Sequence, residues 1–172
     1  MNKRSSKHFW IIISIFVLAL AAIARFSGVI INTSSSMPVG LYIKHNGSIQ
    51  RNDIVLVCLP IPYREIALKR KYLEHGGICN GIDPVIKQVL AIPGDYVVLT
   101  NKFIEVNHKR YNYITKQRDR VGRLLISYPR SKFYTNGYWV FGTNNPNSWD
   151  SRYWGPINKK QIISNLHLVW SL

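Results

Sequence analysis

Acidic residues are scarce: 8 Asp and Glu stand against 23 Lys and Arg among 172 residues, a formal net charge of +15 at pH 7. Such a surface draws polyanions, of which nucleic acid and the anionic face of a membrane are the candidates. Charge by itself does not choose between them. Cysteine is almost absent. Cys58 and Cys79 lie well apart with no CxxC spacing, too few for a structural zinc site, which needs about four ligands. No metal is therefore expected; one disulfide or two buried thiols both stay open. Repeats, low-complexity stretches and linkers are missing too, which leaves one continuous domain. The hydrophobic share of 47% excludes a disordered tail protein.

Long apolar runs are confined to the N-terminus. Lys3, Arg4 and Lys7 precede Phe9 to Ala24, broken only by Ser14. As a helix these positions span roughly 24 Å, short of a bilayer core of about 30 Å. Continuing through Arg25 to Ile31 completes the crossing, with Arg25 snorkelling to the interface. The basic flank places the N-terminus in the cytoplasm and the body outside. The reading is therefore a basic cytoplasmic segment over 1–8, a transmembrane anchor over 9–31 and an exported domain over 32–172. Ala22-Ile23-Ala24 also fits a signal-peptide cleavage site. Either way the body is exported, which makes nucleic acid an unexpected partner and turns Cys58 and Cys79 into a candidate disulfide pair.

Past the anchor, short strands alternate with Gly, Pro and Asn turns. Gly40–Ile43, Asp53–Leu59, Val85–Ile92, Tyr96–Leu99, Phe103–Val106, Tyr138–Phe141 and Ile162–Trp170 read as strands. Tyr63–Glu74 reads as a helix stopped by Gly76-Gly77. Residues 109–132 are basic and weakly patterned, an expected mobile or substrate-facing insertion. The whole predicts a mostly β, barrel-like or sandwich fold.

Polar residues after a membrane segment ordinarily form a linker, but Met37-Pro38 is unlike one. Proline pushes Met37 into an extended conformation, whose period of two would put Ser34 and Ser36 on one side. A nucleophile at Ser36 could use its own N–H and the Ser34 hydroxyl for an oxyanion. A hydroxyl needs a base nearby. The five histidines (His8, His45, His75, His108 and His167) sit in no motif-like setting. Lys87 differs: strand alternation places it between Val85 and Val89, where desolvation lowers an amine's pKa. An isolated lysine there would ordinarily be a snorkelling strand residue.

Three ordered segments carry a resemblance. Ser34-Ser35-Ser36-Met37-Pro38 gives S-x-S-M-P, Ile86 to Asp95 gives I-K-x-V-x-x-I-P-G-D, and Gly142 to Gly155 gives G-x-N-x-x-x-S-x-D-S-R-x-W-G. Together they resemble the signature boxes of the signal peptidase I family. The resemblance implies a signal-peptidase-like β catalytic core, Ser36 as nucleophile, Lys87 as general base, Ser34 at the oxyanion and Ser148 orienting the lysine. It implies that Asp150 and Arg152 support the site, and that no cofactor is used. The run P-V-G-L-Y, the short length and the placement of Cys58 and Cys79 resemble the conjugative-transfer (TraF-type) branch. That branch implies a pilin precursor as substrate, with conjugative type IV secretion components as partners and anionic lipid at the membrane. Gln88 in place of the family's usual arginine, and Thr143 and Pro146 in place of its aspartates, depart from the housekeeping pattern. The rivals are a housekeeping signal peptidase acting on preproteins and a basic, non-enzymatic membrane component of a secretion or conjugation apparatus. A cytosolic Ser-Lys self-cleaving repressor is disfavoured by the N-terminal apolar segment.

Overall fold

Turn chemistry cuts the chain into short strands. At Ile92-Pro93-Gly94-Asp95 the Asp95 N–H donates to the Ile92 carbonyl (3.1 Å) and Gly94 takes φ +93°. Proline followed by a positive-φ glycine is the requirement of a type II turn. Asn107 and His108 both hold positive φ (46° and 67°), the backbone of a two-residue I′ hairpin. The computed structural model describes residues 8–18 and 28–172. Their strands are β1 (Val29–Asn32), β2 (Gly40–His45), β3 (Ile54–Val57), β4 (Val85–Ala91), β5 (Tyr96–Leu99), β6 (Ile104–Val106), β7 (Lys109–Tyr111), β8 (Ser131–Tyr134), β9 (Trp139–Phe141) and β10 (Ile162–Ser171). Residues 8–18 are helical (α1), and two short helices follow, α2 (Arg64–Lys69) and α3 (Ser151–Trp154).

The fold is mostly β. One antiparallel sheet runs β1-β2-β10-β3-β4-β9 and a second β7-β6-β5-β8. Leu90, Ala91, Trp139 and Phe141 of the larger sheet pack with Val97, Leu99, Ile104 and Val106 of the smaller. The type II turn carries the chain from one sheet to the other, and its Asp95 fixes the corner. That buried carboxylate pairs with Arg51 and accepts from Asn107 Nδ2 (2.8 Å) and the Ile92 N–H (2.9 Å). These donors hold the Asp95 carboxyl below its usual range although burial opposes them.

Three expectations need correction. Val29–Ile31 do not belong to an anchor helix: they form β1 with Asn32 and pair with Leu41–Ile43 of β2. The rest of the expected anchor falls partly on residues 19–27, outside the described residues, as does the Ala22-Ile23-Ala24 site. Among the described residues no helix is long and apolar enough to cross a membrane. The helix expected over Tyr63–Glu74 is shorter: a 3-10 turn, Ile61–Tyr63, leads into α2, which ends at Lys69. Lys71 takes φ 55°, and the chain folds back so that Tyr72 and Leu73 join the core beside Ala67 and Trp154. Tertiary packing overrides helix propensity here. Finally, the expected insertion over 109–132 holds β7 and begins β8, which pairs with β5. Between those strands, residues 112–130 run irregularly and face the cleft described next.

Cys58 and Cys79 are joined in a disulfide. It closes the excursion carrying α2 between β3 and β4.

Candidate active site

Lys87 sits at the third position of β4, directly opposite Val55 of β3. Period-two alternation puts Val85, Lys87 and Val89 on one face, the one that packs on Val55, Val57 and Val140. The lysine is 3% exposed. Burial therefore pulls its amine down to about 8, opposed by the nearby Asp150 charge and assisted by Arg152. Its Nζ donates to Ser148 Oγ at 3.1 Å.

Ser36 lies in the connection between β1 and β2, in a turn rather than the extended run that the proline suggests. Ser34 and Ser36 nevertheless meet, because the turn folds one hydroxyl over the other. Their Oγ atoms are 3.2 Å apart, and the Ser36 N–H donates to Ser34 Oγ (3.4 Å). Ser34, Ser36, Lys87 and Ser148 line one cleft of about 670 Å³. Ser36 and Lys87 do not hydrogen-bond to each other; each is engaged by another serine.

Ser148 is placed from behind. Asp150 is fully buried and caps α3, accepting the Arg152 N–H on Oδ1 (3.2 Å). Its carboxylate takes a two-pronged contact from Arg152, Nε at 2.8 Å and Nη2 at 2.7 Å, plus the Gly142 N–H at 3.0 Å. Arg152, 1% exposed, then reaches the carbonyls of Ser148 (2.9 Å) and Ile114 (2.8 Å). With its donors satisfied, a buried ion pair of this kind acts as a fixed strut. Burial alone would lower the Arg152 pKa, but the Asp150 contacts raise it above its ordinary value.

Two residues escaped the sequence reading. Asn32, at the end of β1 and 7% exposed, clamps the turn that carries Ser36. Its Nδ2 donates to the carbonyls of Ser34 (2.9 Å), Met37 (3.2 Å) and Pro38 (2.8 Å), and its Oδ1 accepts the Ser34 N–H (3.1 Å). An asparagine accepting from the N–H two residues on is an Asx turn, and that local signal was available. Gly142 is the second: a Cβ there would stand 2.6 Å from Ser148 Cβ and 2.9 Å from the Ser36 carbonyl. Only glycine lets the segment carrying Ser148 close on the segment carrying Ser36. The approach is fastened by Asn144 N–H to the Ser36 carbonyl (3.1 Å) and Asn145 Nδ2 to Ser35 Oγ (2.7 Å).

No group of three or more His, Cys, Asp or Glu side chains among the described residues could hold a metal ion. The site offers instead a hydroxyl, a desolvated amine and convergent donors, a set suited to acyl transfer.

The chain matches the family model described as "Signal peptidase, peptidase S26" over residues 4–171. It is 35% identical to a plasmid transfer protein TraF of Escherichia coli, over 89% of this chain and 90% of that one. It is 29% identical to the conjugal transfer protein TraF of Agrobacterium fabrum, over 95% and 94%. A signal peptidase IB of Staphylococcus aureus is 33% identical over 59% of this chain and 62% of that one.

Proposed function

The chain belongs to the signal peptidase family, peptidase S26, and on that premise we propose that Ser36 and Lys87 are the catalytic dyad of a membrane-anchored serine endopeptidase that cleaves exported precursor proteins. One observation carries the assignment: an amine 3% exposed and lowered to about 8 lines the same cleft as a serine hydroxyl. Relative to an ordinary lysine at 10.5, that shift raises the neutral fraction at pH 7 roughly 300-fold. A general base is most effective when its pKa lies near working pH.

The substrate segment enters the cleft extended, as an added strand. Its carbonyl displaces the Ser34–Ser36 contact, and Ser36 Oγ turns to neutral Lys87, which takes the proton as the hydroxyl attacks. The freed Ser34 hydroxyl and the Ser36 N–H then face the oxyanion. The lysine returns its proton to the leaving amine, and water resolves the acyl-enzyme by the reverse use of the same base. Ser148 holds the amine in line throughout, and the Asp150–Arg152 strut holds Ser148.

The relatives named for plasmid and conjugal transfer match about nine-tenths of the chain or more, whereas the signal peptidase IB matches 59%. This supports a precursor handled in conjugal transfer, a pilin precursor, over the general preproteins of a housekeeping enzyme, with secretion components of that apparatus as neighbours. A purely non-enzymatic role falls with the family assignment. Phe9, Trp10, Ile12 and Leu18 of α1 stand exposed, which supports an anchor set in the cytoplasmic membrane, and Lys3, Arg4 and Lys7 before it support an N-terminus inside, with Ser36 close to the outer lipid surface.

The test is incubation of the membrane-embedded protein with candidate precursors, wild type beside Ser36→Ala. Cleavage that requires Ser36 supports the reading; equal cleavage by Ser36→Ala overturns it.

A further inference from the structure

The cleft that holds Ser36 and Lys87 is also lined by six basic side chains, Arg70, Lys71, Lys116, Arg118, Arg120 and Arg123, and by one acid, Asp119. That acid is used internally. Asp119 pairs with Arg123 (Nε to Oδ2, 2.7 Å), accepts the Tyr72 hydroxyl (2.6 Å) and receives the N–H groups of Val121 and Arg123. Three of the other cations are held by neutral acceptors, which fix their positions without cancelling charge. Arg70 donates to the Leu124 carbonyl (2.7 Å), Arg118 to the Gly122 carbonyl (2.6 Å), and Lys116 to Asn147 Oδ1 (2.7 Å). Lys71 and Arg120, both exposed, form no salt bridge among the described residues.

Like charges gathered on one concave wall repel one another and focus a positive potential into the cleft. Lys71 adds backbone strain, since φ 55° is sparsely populated by residues with a side chain. We propose that this wall is a specificity site for a carboxylate: the protein selects precursor segments that carry Asp or Glu near the cleaved bond. The proposal rests on the peptidase reading of the same cleft and deepens it. A guanidinium fork matches a carboxylate in two bonds, and two of the arginines are already held in place by backbone carbonyls. The occupant is a peptide rather than a bilayer because the cations line the same concave cleft as Ser36 and Lys87, where a substrate chain lies and a flat lipid surface makes poor contact.

The experiment uses internally quenched peptides with alanines before the cleaved bond and a single Glu moved through successive positions on either side, each with a Gln twin. At one or more positions the Glu peptide is expected to exceed its twin about tenfold in kcat/KM at low salt, the ratio shrinking as salt screens the exposed charges. In Arg120→Glu combined with Lys71→Glu the preference should reverse toward a Lys peptide, a gain that misfolding does not produce. Ratios within about twofold at every position, or a preference unmoved by the charge reversal, overturn the proposal. So does an effect of the reversal confined to binding of phosphatidylglycerol vesicles. Binding of the labelled pairs to Ser36→Ala separates the two readings. Preferred binding of Glu peptides with no cleavage by wild type would leave the carboxylate site standing and remove the peptidase assignment. Cleavage without preference would do the opposite.

Discussion

Lys87 Nζ lies 3.1 Å from Ser148 Oγ, and the carbonyl of that serine is held by Arg152 at 2.9 Å. The amine of β4 is thus aimed by a residue 61 positions away, which is itself aimed by a buried ion pair. On the proposed dyad, reactivity at Ser36 depends on how rigidly this chain of contacts is kept.

The pH dependence of Lys87 follows first. Activity should rise with pH on a limb inflecting near 8, where the amine loses its proton. The same shift acts on stability with a defined sign. Between about 8 and 10.5 the unfolded chain retains a proton that the folded chain has released, so stability climbs with pH across that window. Below it the cost of burying the charge, about 3 kcal/mol, is present in full. Lys87→Met should therefore abolish cleavage yet raise stability at pH 7 by about 2 kcal/mol, a gain that fades toward pH 10.5. Urea unfolding of both proteins at several pH values checks it.

Removing the Ser148 hydroxyl tests the aiming step. Ser148→Ala should lower kcat by roughly 10- to 100-fold with little change in KM, since it acts on the base and not on the substrate, and should cost about 1–3 kcal/mol for the unpaired amine. Gly142→Ala should be worse, because the new methyl group meets Ser148 Cβ at 2.6 Å and the Ser36 carbonyl at 2.9 Å. Steady-state kinetics on one precursor peptide rank the two.

Asp150→Asn keeps the shape of the strut and leaves a buried guanidinium unpaired, at an expected cost of about 3–5 kcal/mol. Adding Arg152→Met should restore part of that loss, since the stranded charge is gone. The kinetic signature is separate: the Asp150 charge raises the Lys87 pKa, so any folded Asp150→Asn protein should show its ascending limb below that of wild type. An unmoved limb would mean that Asp150 acts through structure alone.

Asn32 offers a comparison of donor against acceptor. Asn32→Asp retains the Oδ1 that accepts the Ser34 N–H but loses the amide donor shared by Ser34, Met37 and Pro38. It should be nearly as damaging as Asn32→Ala, with kcat down by about tenfold or more as the nucleophile turn loosens. Good activity in Asn32→Asp would show that the donor contacts do not position Ser36.

Replacing Cys58 and Cys79 by serine should lower stability by roughly 3 kcal/mol in the chain-entropy treatment of a loop this size. Activity should fall less steeply, since the disulfide closes the excursion bearing Arg70, Lys71, Tyr72 and Leu73 at the cleft wall without touching Ser36 or Lys87. Thermal melts with and without reductant, beside peptide cleavage, measure both.

Strands were legible where local chemistry decides them. The type II turn at Pro93-Gly94 and the alternation of Val85, Lys87 and Val89 are written within a few residues, and β5 is found where its pattern places it, Tyr96–Leu99. The burial of Lys87 was readable for the same reason, since its valine neighbours lie on its own strand. β1, β7, β8 and α3 were not legible. Val29–Ile31 read as the end of an apolar run, and only pairing with β2 makes them a strand. Lys109–Tyr111 carries charge that hides a ladder position.

What the sequence by itself determined is the set of candidate reactive groups and their order along the chain, because motif, turn and alternation are short-range features. What only the tertiary structure decided is how those groups are aimed. The contact of Asn145 with Ser35 spans 110 positions, and the Asp150–Arg152 strut reaches Ser148 and Ile114 at once. A cavity wall with five cations that form no ion pair among the described residues emerges only when 70–73 and 116–125 fold against each other. Such arrangements are fixed by burial summed over the whole core, and no local stretch of residues encodes that sum.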